Sequence, residues 1–181
     1  MKLLFPEKSD GVVRIRIFAE EHLTNTYVSW LNDKDVVRFS EQRHFVHTME
    51  SCRAYFSEQV NSLNYFLAIE HLQNGILHVG NMGIAVDVAN KTADLSILLG
   101  IKSVWRLGLA TRAWTMALNT ILYELDFRMV TAGTMTANEP MIKLLKRSGM
   151  KIDCILPDRF IFEGKTVGLV AASINRDNFK I

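Results

Sequence analysis

The chain has 181 residues, 49% of them hydrophobic and 22% charged, the composition of an ordinary globular domain large enough to bury its own core. Its 21 basic and 19 acidic residues give a formal net charge of +2, too balanced for nucleic acid to be the main partner. No run approaches the roughly 20 apolar residues that a membrane span needs.

The apolar start before Pro6 is far too short for a signal peptide. Cys52 and Cys154 stand without CxxC spacing, so neither a disulfide framework nor a zinc site is expected. His44 and His47, in "RHFVHT", have no acidic or thiol companion at ligand spacing and read as surface or packing histidines. The expectation is a cytoplasmic protein with no metal, monomeric or homodimeric.

In chain order, "VVRIRIF" (12–18) alternates apolar and basic residues, a strand with one wet face. In "AEEHLTNTYVSWLND" (19–33), Leu23, Tyr27, Trp30 and Leu31 fall at helical spacing, and Asn32-Asp33 supply the stop. "TMESCRAYFSEQVNSL" (48–63) predicts a second helix with Thr48 as its N-cap. "YFLAIEH", "ILHVGNMGIAVD" and "KTADLSILLG", separated by the turn-like "LQNG" and "VAN", predict three antiparallel strands. "LATRAWTMALNTILYEL" is a long, mostly apolar helix that starts directly after Gly108, and "FRMVTAGTM" is a strand. "NEPMIKLLKRSGM" is a short helix with Pro140 in its first turn and Gly149 at its end. "DRFIFEGKTVGLVAASI" (158–174) closes the chain as a hairpin turning at Glu163-Gly164-Lys165.

No repeat, low-complexity tract or linker interrupts residues 1–181, so one domain is expected. The order β-α-α-β-β-β-α-β-α-β-β predicts an α/β (α+β) mixed sheet of seven strands with helices on both faces. The strand–turn–helix–strand unit around Gly108 should place its two strands parallel.

The stretch "SVWRLGLATRAW" (103–114) carries the chemistry most visibly. A helix start leaves about four backbone N–H groups unpaired and bears partial positive charge, so it receives an anion when side-chain bulk is absent. Gly108 and Ala110 remove the bulk, and Arg106 adds charge. Neither G-x-x-x-x-G-K-[ST] nor G-x-G-x-x-G is present. Packing alone also explains a Gly and an Ala at these places.

The run "ADLSILLGIKSVWRLGLATRAW…FRMVTAGTMTANEPMIKLLKRSGM" resembles the acetyl-CoA-binding core of the GNAT N-acetyltransferase superfamily. Residues 105–110 occupy the family's Q/R-x-x-G-x-G/A segment, with Trp105 at its first place. Trp105, Ala110-Thr111, Asn138 with Gly149-Met150, and the opening "VRIRIFAEEHLTNTYVSWLND" are similar to the branch that acetylates the N-terminal alanine of ribosomal proteins. Related enzymes acetylate nucleotide-linked amino sugars.

The resemblance implies a mostly antiparallel sheet splayed between its fourth and fifth strands, with acetyl-CoA as co-substrate in the splay. Main chain at Leu98, Leu99 and Gly100 would pair with the pantetheine arm. Backbone N–H groups of Arg106, Leu107, Gly108, Leu109, Ala110 and Thr111 would hold the pyrophosphate, with a hydroxyl from Thr111. Asn138 would face the cofactor arm; it also reads as an N-cap for the helix at Glu139-Pro140.

Acetyl transfer needs a neutral amine, because an exposed amine is mostly protonated at pH 7. A fourth-strand carboxylate is a common family base, and Asp94 is the candidate, with Ser96 two residues on and so on the same strand face. Asp94 also reads as a solvated strand residue. Leu145 stands where many relatives carry the Tyr that protonates the leaving thiolate, so Ser96, water or no dedicated acid remain. On the acceptor side, Glu41 is the candidate for a substrate ammonium, and Arg38 and Arg43 for phosphates.

The acceptor is thus an amine-bearing small molecule, such as a nucleotide-linked amino sugar, or a protein N-terminus. The absence of an acidic tract suited to a basic ribosomal protein favours the small molecule. Leu145 and Gly168, where relatives often carry an acid, also suit a catalytically weak acyl-CoA-binding sensor or structural subunit.

Overall fold

The computed structural model describes residues 4–73 and 75–179. Its strands are β1 (Lys8–Ser9), β2 (Val13–Ile17), β3 (Tyr65–His71), β4 (Leu77–Asp87), β5 (Thr92–Leu99), β6 (Met129–Met135), β7 (Lys151–Phe162) and β8 (Lys165–Asn175). The helices are α1 (Asn25–Asn32), α2 (Met49–Asn61), α3 (Leu109–Asn119) and α4 (Glu139–Arg147). The sheet has eight strands, in the order β1-β2-β3-β4-β5-β6-β8-β7. The strand beyond the expected seven is β1, two residues held to β2 through Lys8↔Ile15 and Ser9↔Arg14, too short to show a period.

Local chemistry explains most boundaries. Thr48 caps α2 by accepting from the Ser51 N–H, and Asn138 caps α4 by accepting from the Met141 N–H. Gly149, at φ +82°, ends α4 as expected. The Glu163-Gly164 turn, both residues at positive φ, joins β7 to β8. The first expected helix breaks at Leu23 into a short 3-10 turn and α1, because Thr24 is extended and its hydroxyl accepts from the Tyr27 N–H. The long apolar helix ends in a π turn, Thr120–Glu124. β7 begins at Lys151, seven residues before the expected Asp158, and bulges on both sides of Ile155.

Two apolar layers sandwich the sheet. α3 and α4 cover one face, with Trp114, Leu118 and Leu145 packed on Val13, Ile15, Leu95 and Val130. α1 and α2 cover the opposite face at β2–β4 through Phe18, Tyr27, Trp30, Cys52 and Ala68. The expected wet face of β2 is not wet. Arg14 and Arg16 bracket buried Glu70 on β3, and His22 closes the cluster at 3.1 Å. Every neighbouring strand pair is antiparallel except β5 and β6, the parallel pair expected around the crossover through α3.

Candidate active site

The β5–β6 ladder holds for only three registers, Thr92↔Met129, Ala93↔Val130 and Asp94↔Thr131. Beyond Asp94 the strands part. β5 stays paired to β4 as far as Leu99, while β6 stays paired to β8 as far as Met135. The facing edges of residues 95–99 and 132–135 therefore make no ladder with each other. This is the expected splay, a wedge whose walls are strand backbone.

Past the open end of β5 lies the loop singled out in the sequence. Arg106 (φ +67°) and Gly108 (φ +81°) are both left-handed, with Leu107 between them outside that region. Such alternation turns successive N–H groups toward one side, a concavity that suits anions. Gly108 is the N-cap of α3 and offers no side-chain cap; the first N–H to find a helical acceptor is that of Arg112, on the Gly108 carbonyl. The N–H groups of Leu109, Ala110 and Thr111 are left at the helix start. A Cβ at Gly108 would meet nothing within 4 Å, so its glycine serves conformation and approach, not packing. Leu109 is buried in the core and contributes only backbone here, while Leu107 is exposed. Arg112 points away, with its guanidinium 2.7 Å from Asp10.

The three expected β5 contacts divide. The Leu98 side chain packs toward the α1–α2 layer. The Leu99 carbonyl already accepts from the Trp105 indole N–H at 3.0 Å. The Gly100 N–H is spent on the Val79 carbonyl, and a Cβ there would lie 1.8 Å from the Trp30 ring. Gly100 is thus glycine because α1 presses on it. Asn138 uses both ends of its amide, capping α4 and donating to the Thr134 hydroxyl at 2.9 Å.

Asp94 stands at the root of the wedge, on the face that α1 and α2 leave open. Its solvent-reachable carboxylate is pushed above the usual range by partial desolvation, and this is partly offset by the Thr131 hydroxyl, which donates to Oδ2 at 2.8 Å. Ser96 shares the face and donates weakly to the Gly83 carbonyl at 3.3 Å. Leu145 is fully buried, so α4 brings no hydroxyl from that position. Gly168 has a packing reason of its own: a Cβ would lie 2.8 Å from the Leu156 carbonyl oxygen.

The α1–α2 loop forms a strap across the wedge mouth. Asn32 closes its ends, donating to the His47 carbonyl at 2.8 Å and accepting from its N–H at 2.9 Å. Lys102, just past β5, holds Asp33 at 2.8 Å and Asp35 at 2.6 Å. The far side of the strap docks on the β7–β8 hairpin tip. There Arg38 pairs with Glu163 at 2.7 Å, Phe39 stacks on Phe162 at 5.3 Å, and Arg43 donates to the Ile161 carbonyl. Glu41 pairs with Arg43 at 2.8 Å and lies 3.7 Å from His44, so the carboxylate picked out for an ammonium is occupied within its own loop, and His44 has an acidic neighbour after all.

Thr131, the hydrogen bond from Trp105 to Leu99 and the strap's docking were not singled out in the sequence. Thr131 lies 37 residues from Asp94 and Glu163 lies 125 from Arg38, so no local spacing signals either contact. An apolar cavity of about 260 Å³ lies elsewhere, between Phe5, Ile17, Phe56, Val60 and Phe66. Tyr65 and Gln59 also line it, and no charged residue among those described faces it. Among the described residues, no cluster of three or more His, Cys, Asp or Glu side chains is placed to hold a metal, and no helix is long and apolar enough to cross a membrane.

Comparison with known proteins agrees with this geometry. A family model described as "Acetyltransferase (GNAT) domain" matches residues 13–151. The structure is similar to spermidine N-acetyltransferase from Vibrio cholerae in complex with CoA and spermine (TM-score 0.83, 12% identity, 93% of this chain and 98% of that one). It is also similar to a GNAT-family acetyltransferase from Bacillus anthracis (TM-score 0.81, 14% identity, 95% and 99%). An N-acetyltransferase from Staphylococcus aureus Mu50 gives a TM-score of 0.76 at 17% identity, covering 91% and 98%. No curated protein matches. With a wedge between β5 and β6, an uncapped helix start beyond it and a family match over most of its length, this chain belongs to the GNAT acetyltransferase family.

Proposed function

We propose that this acetyltransferase moves an acetyl group from acetyl-CoA directly to the primary amine of a small molecule in the cytoplasm. The observation that carries the reading is Asp94, a reachable carboxylate at the root of the wedge where acceptor and thioester would meet. Acetyl-CoA supplies the thioester; its pyrophosphate suits the N–H groups of Arg106 and of Gly108 to Thr111, while the expected Leu107 N–H already donates to the Val104 carbonyl at 3.4 Å. Family relatives use this co-substrate, and the Vibrio cholerae structure contains CoA.

Asp94 takes the proton of the incoming ammonium, directly or through one water. The freed nitrogen forms the new C–N bond as the C–S bond breaks; the second proton that nitrogen sheds on becoming an amide passes to solvent, and the departing thiolate takes a proton from solvent. A thiolate is already a good leaving group, so positioning replaces the acid that Leu145 does not provide. Thr131 holds the Asp94 carboxylate in place.

The test is thiol release from acetyl-CoA with a panel of primary amines. Asp94→Asn should lower kcat by about a hundredfold or more near neutral pH while acetyl-CoA binding stays intact. Acetyl-CoA binding with no transfer to any amine would favour a sensor instead.

A further inference from the structure

The carboxylates on the strap and at the hairpin tip are already engaged by cations. Asp33 and Asp35 share the Lys102 ammonium, while Glu163 is held by Arg38 and Glu41 by Arg43, each at 2.6–2.8 Å. The Arg38 guanidinium also lies beside the stacked rings of Phe39 and Phe162, 5.4 and 5.3 Å from their centroids. This contact helps to keep it beside Glu163, because a cation is attracted to aromatic faces. Lys34 on the strap and Lys165 beside the hairpin turn add two further cations. Asp153 and Asp158 lie on β7, at the outer edge of the sheet beyond β8. On the floor between β5 and β6, Asp94 faces no cation among the described residues, its polar partner being the Thr131 hydroxyl.

A polyamine carries positive charges several bonds apart, and tight binding of more than one of them is favoured by additional unpaired carboxylates. Here every carboxylate along the strap already has a cation at hydrogen-bond distance. A second ammonium would have to displace a guanidinium or the Lys102 ammonium, on surfaces to which Lys34 and Lys165 add further positive charge. Like charges so placed repel and are a common device for rejecting the wrong ligand.

The geometry points to a monoamine acceptor, a molecule that presents one primary ammonium to Asp94 and whose remaining body is neutral or anionic. This rests on the acetyl-transfer reading and narrows its substrate class. The fold is shared with the Vibrio cholerae protein whose structure contains spermine, but the inference for this chain rests on its own strap, where Arg38 pairs with Glu163 and Arg43 with Glu41.

The experiment compares hexylamine, glucosamine, spermidine and spermine, by thiol release and by calorimetric binding in the presence of CoA. The wild type should favour the monoamines at least tenfold in kcat/KM and bind spermine no more tightly than hexylamine. Arg38→Gln/Arg43→Gln frees Glu163 and Glu41, and should strengthen spermine binding several-fold in low salt without a matching gain for hexylamine. Tighter spermine than hexylamine binding by the wild type, or no gain in the double variant, overturns the proposal. If the double variant does not fold, Glu41→Gln/Glu163→Gln carries the test. Removing carboxylates already spent on arginines should leave spermine binding as it was, and a clear fall overturns the proposal. Absence of transfer to every amine would sink the acetyltransferase reading alone, since the binding comparison still decides between monoamine and polyamine.

Discussion

Asp94 and Thr131 are the last residues that join β5 to β6, and across that pair the Thr131 hydroxyl donates to the Asp94 carboxylate at 2.8 Å. The same pair therefore closes the ladder and tunes the group at the wedge root. Desolvation raises the Asp94 pKa and the hydroxyl lowers it. Thr131→Val removes the lowering contribution, so the acidic limb of the kcat/KM profile should move to higher pH. A lower rate with an unmoved limb would make Thr131 a packing residue only.

Asp94→Asn should cost activity but not stability. A carboxyl whose folded pKa lies above its unfolded value makes the fold less stable as pH rises through that interval. Near pH 7 the neutral amide escapes this, so Asp94→Asn should melt at or above the wild-type temperature. Below the unfolded pKa the difference should vanish. The rate loss should shrink as pH approaches the pKa of the amine, where free amine needs no base.

Gly108→Val places a β-branched residue at φ +81°, a conformation that costs a non-glycine residue about 1–2 kcal/mol. It also puts bulk where an anion would approach bare N–H groups. Acetyl-CoA binding, followed by calorimetry, should be lost. Gly108→Ala, whose Cβ meets nothing within 4 Å, should retain part of it. Arg106→Ala should weaken binding only roughly two- to fivefold, the scale of a helix-terminal charge.

Gly100→Ala should destabilise by about 1–3 kcal/mol or more, since its Cβ would overlap the Trp30 indole and cores resist overpacking. Trp30→Leu in the same chain should recover part of the loss. Denaturant unfolding of the two single variants and the double variant measures this coupling.

Acid unfolding should show two contributions. Burial holds His78 down to about 4 against an ordinary 6.5, so stability present above pH 6.5 is lost as pH falls toward 4. Burial works against ionised Glu70, but hydrogen bonds from Arg16, His22 and Arg14 outweigh it and hold the carboxyl down to about 2 against an ordinary 4.5. Its contribution, about 3 kcal/mol at pH 7, is kept down to pH 4.5 and lost toward pH 2. His78→Gln should flatten the first window, and Glu70→Gln should lower the melting temperature most at neutral pH. Circular dichroism against pH separates the two.

The element order, the caps at Thr48 and Asn138, the glycine that ends α4 and the parallel pair around α3 were legible in the sequence. The caps and the glycine depend on neighbours a few residues away, where spacing and backbone preference act directly, and the parallel pair follows from the handedness of a strand–helix–strand crossover. The bare helix start after Gly108 was legible for the same reason. Contacts between distant residues decided the rest. Nothing within 10 residues of Gly100 signals that Trp30 presses on it, nor can Arg14 and Arg16 in an alternating strand announce that Glu70 will bury beneath them. Glu41, Arg38 and Arg43 read as free charges in a loop because a sequence shows which charges exist, not which ones meet. Only the folded chain carries the strap to the hairpin tip, where pairing leaves Asp94 as the carboxylate on the floor of the site without a cation.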